Sequence, residues 1–509
     1  MRRGKVYLVG AGPGALGLIT VKGLECLKRA DVIIYDRLVD NSLLGTVRPA
    51  AEKVFVGKAP GYHTKEQAEI NQLLVNKAKE GKIVVRLKGG DPFVLGRGGE
   101  EAEALAMNHI PFEVVPGVSS AIAVPAYAGI PLTHRALASS FSVVAGHKAT
   151  AKTKSSLSWQ RIATGADTLV FLMGSGNLTQ IVTELIKNGR APYTPIALIH
   201  QGSTPKQQTL VGTLENITRI ARESKFKPPT VIVVGEVVRL REQLRWFDNC
   251  PLFGKNILVT RAPHQAEGLS RLLMECGAVP IEMPLIRVCA PSTWRNLDQA
   301  ILNLSSYHWI VFTSVNGVEM FFQRLYTLNL DARWLKGIRI GAIGPATAEA
   351  LAKHGLYPDY VPETYTSQGF LAKLDNQEIT GRRFLLPRAD IATSELADDI
   401  TKLGAEVHEV TAYRTTAMTK ANPQGRQMLL RGEIDVITFT SPSTVANFLT
   451  ILGSEQFSIG RTKIACIGPK TAMAATEAGL RVDIVSEEHT IRGLVEAMEI
   501  YFQQKGGES

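Results

Sequence analysis

Short apolar runs rich in β-branched residues alternate with helical patterns along most of the chain. The runs Val6–Val9, Val32–Tyr35, Val84–Leu87, Thr168–Leu172 and Val231–Val234 read as strands, and their alternation with helices predicts α/β domains with largely parallel sheets. This first series closes at Val231–Val238. The stretch from about Arg241 to Gly254 carries Trp246, Phe247, Pro251, Leu252 and Phe253. It reads as a connector that packs rather than a Gly/Ser tether.

A second series starts at Ile257–Thr260 and repeats itself. N-I-L-V-T-R-A at 256–262 matches R-F-L-L-P-R-A at 383–389, and the segment 275–287 matches 402–414. F-T-S-V-N-G-V-E-M-F at 312–321 matches F-T-S-P-S-T-V-A-N-F at 439–448, and G-A-I-G-P-A-T-A at 341–348 matches A-C-I-G-P-K-T-A at 465–472. An offset near 127 residues is too long for a solenoid. It predicts a duplicated α/β domain forming two similar lobes with a cleft between them.

With 509 residues, 45% hydrophobic and 20% charged, the chain has enough sequence for several cores without staples. Its five cysteines form no C-x-x-C pair, which suits a reducing compartment, and its scattered histidines suggest no metal site. Arg2 and Arg3 precede an apolar run that Gly10 interrupts at once, so no secretory signal is expected. No apolar stretch approaches the ~18 residues of a membrane span; the expectation is a cytoplasmic protein. The net charge of +10 draws anions. Basic residues lie singly rather than in blocks, which points to a small polycarboxylate and away from nucleic acid.

G-A-G-P-G-A at 10–15 follows a strand and is expected to open a helix, with Asp36 closing the next strand. That pattern fits a degenerate dinucleotide fingerprint and leaves a nicotinamide-dependent oxidoreductase open. V-V-R-L-K-G-G-D-P-F-V-L-G-R-G-G-E-E at 84–101 then brings a strand into Gly89–Gly90, where a ligand could approach the backbone closely. Asp91 could accept from a ribose or amine. V-P-G-V-S-S-A at 115–121, G-I-P-L-T-H-R at 129–135, V-F-V-G-K at 54–58, F-L-M-G at 171–174 and V-V-G-E-V-V at 233–238 extend the pattern.

Over about residues 4–247 the sequence resembles the uroporphyrinogen-III C-methyltransferases, a branch of the tetrapyrrole methylases. The resemblance implies a cleft between two α/β subdomains, about 1–114 and 115–247, in a homodimer, with S-adenosyl-L-methionine as cofactor. It places cofactor contacts at Pro13, Gly89, Gly90, Asp91, Val94, Ser119, Ser120, Met173 and Gly202, and proton transfer at Asp36 and Lys58. The family usually has an acid where this chain has Ala15. Judged by residue type alone, Asp36 is a turn acid and Lys58 a solvated charge. The implied chemistry is attack by an electron-rich pyrrole carbon on a sulfonium methyl, which needs alignment, water exclusion and a base.

In the second series, V-T-R-A, F-T-S and I-G-P-x-T are first of all turn and helix-start signals. Thr347 and Thr471 each follow a G-P step, where a hydroxyl could cap a helix and free amides could meet a carboxylate. Over about 254–503 the pieces resemble uroporphyrinogen-III synthase, a two-lobed α/β fold with its site in the cleft. The resemblance implies that Tyr413 assists departure of the hydroxyl of hydroxymethylbilane, and that Ser314, Thr347, Ser441 and Thr471 line the cleft. By residue type alone Tyr413 is a half-buried strand residue.

The expected organisation is a methyltransferase over 1–247, a linker at 248–254 and a synthase over 255–509. The second half would cyclise hydroxymethylbilane to uroporphyrinogen III with inversion of ring D. The first half would methylate that product twice, giving precorrin-2 for sirohaem or cobalamin. A second half that only binds tetrapyrrole without catalysis is the alternative its short motifs leave open.

Overall fold

The computed structural model describes residues 4–39, 41–57, 66–146, 158–364, 367–372, 376–418, 422–452 and 460–506. The chain divides into two compact units, Met1–Lys255 with Met274–Val279, and Asn256–Leu273 with Pro280–Ser509.

The first unit holds two sheets. Strands β1 (Lys5–Gly10), β2 (Val32–Tyr35), β3 (Glu52–Phe55), β4 (Ile83–Lys88) and β5 (Phe112–Val115) pair in the order β3-β2-β4-β1-β5, all in parallel. Both faces are covered: Val6, Leu8, Val32, Ile34 and Val84 enter one apolar cluster, and Val9, Ile33, Val85 and Leu87 the other. Two-sided burial is why these strands read as unbroken apolar runs.

The second sheet is built from β6 (Phe141–Ala145), β7 (Thr168–Leu172), β8 (Pro195–His200), β9 (Gln208–Thr213) and β10 (Thr230–Val234), ordered β6-β7-β10-β8-β9. Here the expectation of a largely parallel sheet fails. Only β6 and β7 pair in parallel; β10 runs antiparallel to both β7 and β8, and β8 to β9. The short connection 201–207 permits an antiparallel return but not a parallel crossover.

After the first unit's last strand, the chain packs. Phe247 and Leu252 are buried, Tyr127 packs tilted against Trp246 and edge-on against Phe247, and the Trp246 indole donates to the Ala126 carbonyl at 3.1 Å. The Asp248 carboxylate takes the Gln207 amide at 2.6 Å and pairs with Arg241.

The second unit holds β11 (Asn256–Val259), β12 (Val279–Glu282), β13 (Ile286–Cys289), β14 (Trp309–Phe312), β15 (Arg339–Ala342), β16 (Arg383–Ala389), β17 (Glu406–Ala417), β18 (Val436–Phe439), β19 (Lys463–Cys466) and β20 (Ile484–Val485). They form two sheets, β12-β11-β18-β19-β20 and β13-β17-β16-β14-β15. Under the repeat, β11, β12, β14 and β15 correspond to β16, β17, β18 and β19, and the two lobes share one strand order. A lobe is nevertheless not a repeat. Each lobe takes its first two core strands from one copy and its next two from the other, so the reading of one lobe per duplicated copy is corrected. The chain crosses between lobes at β13, which pairs antiparallel with the end of β17. There Val288 faces Thr415, two positions equivalent under the repeat.

Candidate functional site

Where β1, β4 and β5 end, their loops interlock. The Ala11 amide donates to Lys88 O at 2.7 Å, and Gly12 and Gly90 exchange both backbone bonds at 3.2 and 2.7 Å. Gly90 sits at φ +67°, a left-handed conformation that favours glycine. A Cβ on Gly117 would lie 2.3 Å from the Gly90 carbonyl oxygen and 2.7 Å from Gly10 Cα, so this junction closes only without side chains. The sequence 10–15 does not open a helix as expected. It leads into a short 3-10 turn, Leu16–Leu18, and the helix Val21–Arg29 starts later with Thr20 as its cap.

Around this junction the structure gathers most of the expected contacts. Ser119 is buried and caps the helix Ser120–Tyr127 through Ala121 N at 3.3 Å. The Ser120 amide lies 3.5 Å from where a Gly90 Cβ would be. A Cβ on Gly202 would press on Val124 of that same helix, and one on Gly14, beside Pro13, would meet Thr204 and Ser203. Gly89 faces Leu38, and Val94 stands half-exposed beside Phe93 and Leu95. Met173 closes β7 at φ +56° with its side chain half exposed. Asp91 is engaged internally: its carboxylate accepts from Phe93 N at 2.7 Å, Val94 N at 3.2 Å and Gly117 N at 3.0 Å. Lys58 lies outside the described residues.

Asp36 is held by a guanidinium. Both its oxygens accept from Arg86 Nη2, at 2.8 and 2.9 Å. Arg86 also donates from Nε to Glu101 at 3.0 Å, and Lys88 donates to the same Glu101 oxygen at 2.9 Å. Arg86, Lys88 and Glu101 are all buried, Glu101 completely. Burial opposes the Arg86 charge, but Glu101 and Asp36 outweigh it and hold the guanidinium above its ordinary value. Burial, helped by the Arg86 charge, pulls the Lys88 ammonium below the usual lysine value. This chain of two acids and two bases was not anticipated. Its signal was Arg and Lys at alternate positions of an otherwise apolar strand, which points both side chains to one buried face.

The topology also decides against the nicotinamide alternative. In a dinucleotide fold the acid-bearing strand lies next to the glycine-loop strand. Here β4 stands between β1 and β2, and Asp36 is turned to Arg86 on β4.

In the second unit Ser314 and Tyr413 meet, with their hydroxyl oxygens 3.1 Å apart. Ser314 also caps the helix Val315–Thr327 by accepting from Gly317 N at 3.1 Å. Tyr413 is only 7% exposed, its ring in the apolar cluster of its lobe. Thr347 lies in this lobe too. Ser441 and Thr471 lie in the other, where Ser441 accepts from Thr444 N at 3.4 Å at the start of the helix Pro442–Leu452. The hydroxyls of Thr347 and Thr471 do not occupy the cap positions. Gly344 and Gly468 do, each followed by proline, and both threonines are buried at the third helical position. The first-turn amides of these two helices form no intrahelical bond and suit an anion.

Among the described residues no helix is long and apolar enough to cross a membrane, and no group of His, Cys, Asp and Glu could hold a metal ion.

The chain is thus a two-part protein, one half with an interlocked glycine cradle and the other with a two-lobed pair of sheets. Residues 5–218 match the family described as tetrapyrrole (corrin/porphyrin) methylases, and 267–496 match uroporphyrinogen-III synthase HemD. The chain is 39% identical to the porphyrin biosynthesis protein HemD of Ruminiclostridium josui, over 98% of each. It is 54% identical to the uroporphyrinogen-III C-methyltransferase of Priestia megaterium, over 46% of this chain and 98% of that one. A solved structure of the Thermus thermophilus uroporphyrin-III C-methyltransferase with S-adenosyl homocysteine covers 47% of this chain and all of its own, at 44% identity and a TM-score of 0.40. The chain belongs to the family in which a tetrapyrrole methylase is fused to uroporphyrinogen-III synthase. It is a bifunctional enzyme, an S-adenosylmethionine-dependent uroporphyrinogen-III C-methyltransferase and a uroporphyrinogen-III synthase in porphyrin and sirohaem precursor synthesis.

Proposed function

We propose that residues 255–509 convert hydroxymethylbilane to uroporphyrinogen III with ring D inverted. Residues 1–247 then methylate rings A and B to give precorrin-2, and 248–254 join the two. The observation that carries the methyltransferase assignment is the side-chain-free junction of Gly10, Gly90 and Gly117 beside the Ser119 helix cap. It leaves backbone groups and the apolar Val94 and Leu38 edges for a ligand with polar and apolar parts, and Pro13, Gly89, Gly90, Ser119, Ser120 and Gly202 would hold it. Asp91 stiffens that loop through its three backbone bonds and keeps lone-pair capacity for a ribose. Met173 would cover the sulfonium side.

S-adenosylmethionine, when bound, supplies an electrophilic methyl group. Asp36, oriented by Arg86, would accept the proton released from the pyrrole or bridge carbon, and Lys58 would return one or meet a carboxylate. In the second unit the Tyr413 hydroxyl, oriented by Ser314, would hydrogen-bond the departing hydroxyl of the bilane. The amides before Thr347 and Thr471, with Ser441, would meet its carboxylates. The enzyme is proposed to be a cytoplasmic homodimer through its methyltransferase half.

The test supplies hydroxymethylbilane and S-adenosylmethionine together and identifies products by mass and isomer type. Doubly methylated type III product is expected. Type I uroporphyrinogen alone, or unmethylated type III, removes one half of the assignment.

A further inference from the structure

The duplication offers an internal control for one partly buried cation. Arg261 and Arg388 occupy equivalent positions, in V-T-R-A and L-P-R-A. Glu282 and Glu409 are equivalent positions as well, each 21 residues after its arginine. In the second copy the pair is made: Arg388 is bound to Glu409 and to the Thr393 carbonyl. In the first copy both residues are retained, and among the described residues no such pair is made. Glu282 instead accepts from the Ser270 hydroxyl at 2.7 Å. Among the described residues Arg261 makes no ion pair, and its one hydrogen bond there is a long one, Nη2 to Gln265 Oε1 at 3.4 Å. Its Nε is buried without an acceptor among the described residues, as is that of Arg388, but at Arg261 burial alone acts and pushes the guanidinium down.

A cation drawn partly out of water without an acid partner costs stability, so a fold that keeps one has room for another anion. Arg261 is also linked through Gln265 to the helix start that carries Ser314. Gln265 donates at 2.9 Å to the Asn316 carbonyl oxygen. Asn316 lies two residues beyond Ser314, whose hydroxyl meets Tyr413. The Gln265–Asn316 bond runs from the β11 lobe to the β14 lobe. It has no counterpart in the repeat, where Ala392 and Ser443 stand at those positions.

We infer that Arg261 is the anchor for a side-chain carboxylate of the linear tetrapyrrole, with Gln265 and Asn316 orienting it across the two lobes next to Tyr413. A guanidinium matches a carboxylate with two parallel N–H donors. The lobe that lacks its internal pair therefore presents a fork to a substrate bearing eight carboxylates. This inference rests on the second half being the bilane-cyclising enzyme.

The test uses the full-length protein and two variants, Arg261→Met and Arg261→Lys. Wild-type formation of the type III isomer tests the parent reading; the ratio of variant to wild type tests this one. Arg261→Met should raise KM for hydroxymethylbilane about tenfold or more, with Arg261→Lys in between. Methylation of supplied uroporphyrinogen III should be unchanged. The melting temperature of the synthase half should hold or rise, because a desolvated charge without a partner has been removed. A packing role gives the opposite signs, a lower melting temperature with KM unaltered, and overturns the inference. If Arg261→Met does not fold, the inference is likewise overturned by an Arg261→Lys enzyme with wild-type KM.

Discussion

Gly90 separates what the protein needs from what its ligand needs. At φ +67°, alanine there costs about 1–2 kcal/mol of left-handed strain, offset by about 0.4–1 kcal/mol from a stiffer unfolded chain. Space is not limiting: the new Cβ would meet Ser120 N at 3.5 Å and Ser119 Cα at 3.7 Å, both ordinary contacts. The net cost is about 1 kcal/mol, a fall of about 2–4 °C in the melting temperature of the methyltransferase half. The neighbouring Gly117→Ala is different, because its Cβ runs into backbone on two sides; it should disrupt the junction outright. If the side of Gly90 facing Ser119 and Ser120 is where the cofactor lies, Gly90→Ala should weaken binding about tenfold, a loss of about 1.4 kcal/mol. Gly90→Val should weaken it further. Calorimetric titration with S-adenosylhomocysteine, paired with a melting curve, reads both quantities. Affinity within twofold of wild type in folded Gly90→Ala and Gly90→Val proteins would refute the placement.

Further outcomes follow from the same geometry. Asp36→Asn keeps one acceptor for Arg86 and should lower methyl-transfer turnover about 10²–10⁴-fold with cofactor affinity near normal; a rate within twofold leaves Asp36 an ion-pair partner only. Glu101→Gln leaves Arg86 and Lys88 facing Asp36 alone and should cost about 3–5 kcal/mol, read by chemical denaturation of the first half. Tyr413→Phe should slow type III formation at least tenfold while costing only about 0.5–1.5 kcal/mol, since Ser314 keeps its bond from Gly317; equal rates would make Tyr413 a packing residue. Glu113, bridged by Lys22 and Lys5, titrates at about 2 instead of 4.5. Its folded value is depressed, so its stabilisation is complete above 4.5 and is lost as pH falls toward about 2. Glu113→Gln should flatten that part of the melting-temperature profile.

What the sequence made legible follows burial. Strands covered on both faces, such as Val32–Tyr35 and Thr168–Leu172, coincide with the apolar runs that predicted them. Pairing direction was not encoded in those runs, because Val231–Val234 is equally apolar in a parallel or antiparallel setting; hence the mixed second sheet. Gly89 and Gly90 were readable as a point of close backbone approach because their chemistry is local, whereas Ser119 entered only through the resemblance. The Arg86–Glu101–Lys88 chain was not, because it joins a strand to a helix and only burial makes it informative. The broken Arg261–Glu282 pair was invisible for a stronger reason: both residues are present in both copies, and only their orientation differs.

The exchanged lobes bear on how the second unit is made. Strands β13 to β17 form one continuous stretch, 286–417, and can pair as soon as that stretch has left the ribosome. The other lobe begins at β11, but its central partner β18 aligns Ile257 with Val436, far later in synthesis. Until then the apolar faces of β11 and its following helix have nothing to cover them. That loop-closing step adds little to the entropy cost, which grows only logarithmically with length, but it sets the order of events. Cutting the chain between the two copies would separate partners in both lobes at once. A C-terminal truncation before β18 would spare the β13–β17 lobe and leave β11 and β12 as an orphaned, aggregation-prone pair.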